Sequence, residues 1–273
     1  MVVNSTVLAD ELKFVEIGWS VVAALLSIIG NTVLLFASIR RHAIKLDRIT
    51  IVLLESLAVA DLGFVFFTIL PRAVHILQNN DGTLFGHELL HKITVLPRLV
   101  CTAINISLIP ILNSCKLLCL LYPLRVRNYR YRDGYKLVAV LWSGSVVVCA
   151  GIMVWTNFLS SFPGEIFIAV AVVLFVLIVL ILTTTIGLLL TVHKARGLTR
   201  QGFVSVILIS IVFLVCYIAM WTADTLFSFA IFRIFYSIAY VSCFSNTLIY
   251  YRTIRSFKEF VDNNIKLGVS RSQ

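Results

Sequence analysis

Asp61 stands in the middle of an otherwise apolar run, Leu57-Ala58-Val59-Ala60-Asp61-Leu62. Four amides sit in similar surroundings: Asn31 after Gly30, Asn105, Asn113 and Asn246. A carboxylate set among amides can hold a monovalent cation with water, or hold a proton. Single asparagines can also act as packing glue between helices. An ionisable group at the bilayer centre costs roughly 2.5–3.5 kcal/mol on insertion scales. Such groups are therefore functional candidates by default. A second set forms a stripe at helical spacing: Arg98, Thr102, Asn105, Ile109, Leu112 and Lys116. At 1.5 Å per residue, Arg98 lies about 10 Å outward of Asn105 and Lys116 about 16 Å inward. Lys116 can snorkel to the inner edge. Arg98, if it faces a helix bundle, needs an acid or a ligand, and Asp224 is the acid available. No Ser/His/Asp set, zinc-helix motif or phosphate loop is present, which argues against an enzyme. His87 and His91 flank Glu88 at i, i+4 spacing but lack a third metal ligand.

The elements that position these groups follow from composition. Of 273 residues, 60% are hydrophobic and 13% charged, with a mean hydropathy of +0.99. Soluble chains carry about 25% charged residues. Seven apolar runs cover 16–39, 49–71, 93–121, 135–157, 166–192, 203–229 and 230–251. Each is long enough to cross a hydrocarbon core of about 30 Å as a helix. Continuous apolar character argues for helices over the alternating strands of a barrel. The least distinct boundary is the aromatic stretch 229–233 between the last two runs. The expectation is an all-α membrane protein, a seven-transmembrane helix bundle over 16–251. It is flanked by an N-terminal tail over 1–15 and a C-terminal helix and tail over 252–273. Little chain is left for a soluble catalytic or ligand-binding domain.

The net charge of +10 is a matter of topology, not of a nucleic-acid surface. The loops after runs one, three and five and the C-terminal tail hold 17 of the 23 basic residues. That side is expected to be cytoplasmic, with the N-terminus outside, as an odd number of spans requires. The first 15 residues are polar and show no signal peptide. Asn4-Ser5-Thr6 is a glycosylation sequon on the expected outer side, making Asn4 the candidate acceptor. The six cysteines all fall within apolar runs, so no structural disulfide is expected.

With these residues in place, the chain resembles a divergent rhodopsin-like (class A) G-protein-coupled receptor along nearly its whole length. The resemblance is carried by Gly30-Asn31, the Leu-Ala-x-Ala-Asp run ending at Asp61, and Tyr122-Pro123-Leu124-Arg125 after span three. It continues through Trp142, Phe213-x-x-Cys216-Tyr217-x-Ala219, Asn246-Thr247-Leu248-Ile249-Tyr250 and Phe257 of a short amphipathic eighth helix. It implies a sodium-and-water pocket of Asn31, Asp61, Asn105, Ser242 and Asn246, with sodium as an allosteric ion and no other cofactor. It implies an activation switch of Phe213, Tyr217 and Tyr250. Lys116 and Pro123 would meet a heterotrimeric G protein.

The departures are specific. The family's Asp-Arg-Tyr motif falls on Cys115-Lys116-Leu117, so the neighbouring acid is missing and the arginine is a lysine. Lysine keeps the charge and loses the planar fork. The switch tryptophan is Tyr217, and the kink prolines of spans six and seven are Ala219 and Thr247. Losing a proline removes a helix break. The usual outer cysteine is His91, and the short second outer loop, 158–165, has none.

The resemblance places a ligand cavity between the outer halves of spans three, five, six and seven. Arg98 occupies the position where amine receptors carry an acid. A carboxylate, phosphate or acidic peptide is thus a better match than an amine, met by Arg72, Arg98 and Arg233 with Tyr236 and Tyr240 beside them. An internal Arg98–Asp224 pair with no ligand role is the alternative. The functional expectation is a plasma-membrane receptor that passes an extracellular ligand's signal to a G protein. Its rivals are a transporter or channel using Asp61, although no internal repeat is evident, and a non-signalling receptor relative.

Overall fold

The computed structural model describes residues 5–40, 46–78, 84–154, 178–191, 201–226 and 229–271. Among them there is no strand. The helices are α1 (Ser5–Ile39), α2 (Arg48–Phe64), a π-helical turn (Val65–Ile69), α3 (Leu70–Gln78), α4 (Leu84–Leu121) and α5 (Pro123–Arg127). They continue with α6 (Tyr131–Val154), α7 (Ile178–Thr191), α8 (Gln201–Leu226), α9 (Phe229–Thr253) and α10 (Arg255–Arg271).

Four stretches of the described residues are long and apolar enough to cross a membrane: Phe14–Ile39, Arg48–Val74, Ile93–Leu121 and Tyr131–Val154. Ile178–Thr191 and Phe203–Cys216 are shorter apolar helices. Large apolar side chains point outward along most of them, including Ile29, Val140, Val147, Leu190 and Val215. An apolar surface of this extent is unstable in water and is what a lipid-facing helix presents.

Residues 5–15 are helical and continuous with α1, in a run from Ser5 to Phe14 that contains neither Gly nor Pro. One expectation is corrected. The aromatic stretch 229–233 is the first turn of α9 and not a linker, for the same reason. The connection between α8 and α9 narrows to residues 227–228, which lie outside the described set.

Local chemistry fixes several of these elements. Asp47 caps α2: its backbone is extended, and its carboxylate accepts the Thr50 N–H at 2.9 Å and the Thr50 hydroxyl at 2.8 Å. The π turn closes through the Leu70 N–H donating to the Val65 carbonyl. That extra residue re-phases α3 relative to α2. α4 carries Pro97 and Pro110 in its interior, each removing one backbone donor.

α1 packs on α9 and α2, α2 on α4 and α6, and α8 along α9. α4 and α8 meet over a much shorter seam. The larger apolar core contains Leu53, Leu57, Ile104, Leu108, Leu112, Phe213 and Tyr250. A smaller core joins Ala23, Ala24, Val65, Ile69, Cys101, Tyr240 and Cys243. Two glycines let helices close up near Asp61. A Cβ at Gly30 would stand 3.1 Å from Thr247 Cβ, and one at Gly63 would stand 2.4 Å from Cys101 Sγ.

Candidate functional site

The buried polar groups gather into two junctions along the bundle. The first centres on Asp61, which is 2% exposed. α2 supplies the carboxylate, and its two oxygens are taken by amides from different helices. Asn105 Nδ2 of α4 donates to Oδ1 at 3.0 Å, and Asn246 Nδ2 of α9 donates to Oδ2 at 2.8 Å. Asn31 of α1 extends the junction. Its Nδ2 donates to the Cys243 carbonyl at 2.8 Å and to the Ser27 carbonyl and hydroxyl at 3.0 Å each, while Ser27 Oγ donates to the same Cys243 carbonyl at 3.2 Å. Four helices are thus tied at one level.

Of the five residues expected around a sodium ion, Asp61, Asn105 and Asn246 bond directly. Asn31 joins α9 at Cys243, and buried Ser242 is the residue just before it. Asn31 Oδ1, Asn105 Oδ1 and Thr247 Oγ1 are buried and have no hydrogen-bond partner among the described residues. One carboxylate with neutral oxygens is a hard donor set. Among the described residues, no three His, Cys, Asp or Glu side chains group as a metal site. Both Asp61 oxygens are already occupied by amide donors, and the three unpartnered oxygens lie on the residues around them.

The second junction lies between the C-terminal end of α4 and the N-terminal end of α2. Lys116 of α4 is 4% exposed and its ammonium donates to Asp47 Oδ2 at 2.5 Å. The Phe203 ring of α8 lies 6.0 Å from the Lys116 nitrogen. Burial alone would raise the Asp47 carboxyl's pKa. The Lys116 charge and the bonds from Lys116 and Thr50 outweigh it and hold the carboxyl below its ordinary range. Lys116 does not snorkel: it is buried, and its ammonium pairs with the N-cap carboxylate of α2. One turn earlier on α4, Asn113 is fully buried and reaches both α7 and α8. Its Nδ2 donates to Thr185 Oγ1 at 3.0 Å and lies 3.4 Å from Thr184 Oγ1, while its Oδ1 accepts from Ser210 Oγ at 3.1 Å.

The groups expected near the outer surface divide. Arg72, expected to offer its charge to an anionic ligand, donates through Nε to Glu16 Oε1 of α1 at 2.8 Å. Arg98 is half-buried on α4 with no ion-pair partner among the described residues, and Tyr240 is fully buried in the smaller core. The side chains of Asp224, Arg233, Tyr236 and Tyr217 lie outside the described set, as does Asn4. Phe213 and Tyr250 are in the larger core, and Tyr250 is 1% exposed. Pro123 is exposed at the first position of α5. Trp142 of α6 donates to Ser56 Oγ of α2 at 2.9 Å.

Sequence reasoning missed three pairings. Asp47–Lys116 was signalled by Asp47 with Thr50 three residues on, a helix-start pattern. Glu16–Arg72 joins residues 56 positions apart, and no local pattern signals it. The partners of Asn113 were signalled only by hydroxyls inside apolar runs, Thr184, Thr185 and Ser210.

No protein-family model matches the chain, and no curated protein matches it.

Proposed function

We propose that the chain is a divergent rhodopsin-like receptor of the plasma membrane, spanning it seven times with the N-terminus outside. It passes an extracellular ligand's signal to a heterotrimeric G protein. One observation carries this reading: a single buried carboxylate, Asp61, is held by amides from α4 and α9 at the level where α1 also joins α9. A charge buried at that cost, at a junction of four helices, biases which packing of the bundle is favoured. A sodium ion is the matching allosteric ligand, held by Asp61 with the Asn31 and Asn105 acyl oxygens. The charge distribution of the loops supports the orientation. Buried Lys116 and exposed Pro123 support a G-protein face at the C-terminal end of α4 and at α5. There, the Asp47–Lys116 pair takes over the restraint that an acid beside Lys116 would give. Arg98 supports an anionic ligand, and the helix α10 with its basic residues supports a segment lying along the inner leaflet.

Ligand-free second-messenger output at matched surface expression tests the reading. Output above an empty-vector control that changes in Asp61→Asn is expected. Output at the control level from both chains counts against it and moves weight to transport through the Asp61 level, read by ion flux in vesicles.

A further inference from the structure

Of the two acids within α2, Asp61 is enclosed by the bundle and Glu55 is not. Along α2 and the π turn, Arg48, Glu55, Val59 and Phe66 stand seven, four and seven residues apart, which puts them on one stripe of the helix. Arg48, Val59 and Phe66 are exposed, and Glu55 is half-buried. The rest of α2 is mostly buried against α1, α4 and α6, so this stripe is its lipid-facing side. α6 runs beside it. Gly134 permits the approach, since a Cβ there would stand 3.1 Å from Val52 Cβ. Tyr135 of α6 is exposed, and its hydroxyl donates to Glu55 Oε2 at 2.9 Å. Among the described residues, no other side chain bonds to the Glu55 carboxylate. Toward the N-terminal ends of both helices, the Arg48 guanidinium lies 5.8 Å from the centre of the Tyr131 ring. Arg132 and Lys136 are exposed on the same end of α6.

An acid on a lipid-facing stripe is costly in hydrocarbon and needs a partner. Tyr135 opens the fourth apolar run, and tyrosine favours the headgroup level. Its bond holds the Glu55 carboxylate at that level and leaves Oε1 to accept. The group that meets a carboxylate from the lipid side is an ammonium. The phosphate of the same headgroup then has Arg48 and Lys136 beside it, nearer the membrane surface.

We propose that the α2–α6 seam at Glu55 and Tyr135 binds the headgroup of an ethanolamine phospholipid. Its ammonium donates to Glu55, and its phosphate meets Arg48 and Lys136. A primary ammonium has three N–H donors, whereas the methylated nitrogen of choline has none. Glu55 also repels a headgroup that carries only negative charge, which the cations alone would favour. The site does not rest on the receptor reading. Only its leaflet, the cytoplasmic one, follows from the orientation proposed above.

The test uses the full chain, delipidated in mild detergent. It is offered equal amounts of phosphatidylethanolamine, phosphatidylcholine and phosphatidylglycerol with the same acyl chains, and bound lipid is counted by native mass spectrometry. The parent chain is expected to hold ethanolamine lipid about tenfold over choline lipid, the worth of one charge-assisted bond. Glu55→Gln keeps the side-chain shape and removes the charge, and should bring that ratio close to one. Tyr135→Phe leaves the charge but not its fixed position, and should lower the ratio about threefold. It also keeps the test open if Glu55→Gln does not fold. Lys136→Gln should lower uptake of all three lipids and leave the ratio unchanged. Equal uptake of ethanolamine and choline lipid by the parent chain overturns the site, as does a preference that survives Glu55→Gln. A ratio lost equally in Lys136→Gln overturns the assignment of the ammonium to Glu55. Glycerol lipid held above ethanolamine lipid overturns the site and reports a plain basic surface. The readout contains no G protein, so failure here leaves the receptor reading as it stands, and failure of that reading leaves the lipid site.

Discussion

The Asp61 junction and the α4–α8 seam are both buried and polar, and they differ in what happens when they part. Around Asp61, each carboxylate oxygen takes an amide from another helix. Separation would leave an ionisable group and two amide donors in hydrocarbon with no intrahelical substitute. At the seam, Ser210 and Thr185 hold spare bonds to their own helix. Parting the helices therefore costs more unpaired polar groups in the first region than in the second. The difference lies in the side-chain type. A hydroxyl on a helix can fall back on the carbonyl one turn earlier. In the Asp61 network, the carboxylate accepts only, and the amides that reach it come from other helices.

The largest expected effect therefore falls at the first region. Asp61→Leu strands the Asn105 and Asn246 amides and should lower stability in detergent by about 2–4 kcal/mol, measured by thermal unfolding. Asn113→Ala should cost well under half of that in the same assay, because its partners keep their spare bonds. Equal losses would erase the contrast between the two regions.

Next in size is Gly63→Ala. Its new Cβ would meet Cys101 Sγ at 2.4 Å, forcing the α2–α4 approach beside Asp61 to open. A loss of about 1–3 kcal/mol is expected, with most of it recovered by adding Cys101→Ala. Failure of the second change to recover stability would place the strain elsewhere.

Lys116→Met should be milder, at about 1–2 kcal/mol. Asp47, 23% exposed, can draw water and keeps its bonds to Thr50. The smallest effect is the pH dependence of the same pair. Because the folded carboxyl is lowered, its contribution is complete above the ordinary carboxylate value of about 3.9. It is lost as pH falls toward the lowered folded value. Asp47→Asn should flatten stability over that acid range and leave it unaltered in slope above it.

Much of this was legible in the sequence. The apolar runs mark the helices because bilayer length sets a minimum that few soluble helices meet. Asp61, Asn105 and Asn246 stand out because polar groups are costly there, and they do bond together. The Lys116 junction was less legible. Lys116 reads as a cation without its neighbouring acid, because the acid that serves it, Asp47, sits in a loop 69 positions earlier and looks like an ordinary cap. Arg72 reads as open to a ligand, because Glu16 lies at the edge of the first apolar run and looks like a loop acid. Asn113 reads as one more packing amide. Only the crossing of three helices reveals that its partners have a choice of bond. Long-range pairing, unlike periodicity, leaves no mark on the neighbouring sequence.

The most direct test of the central claim is ligand-free nucleotide exchange on purified heterotrimeric G protein, with the chain in nanodiscs in sodium and in potassium salt of equal ionic strength. Exchange above empty nanodiscs that sodium lowers is expected in the parent chain, with no sodium effect in Asp61→Asn. Exchange at the empty-nanodisc level from both chains, or a sodium response that survives in Asp61→Asn, contradicts the claim.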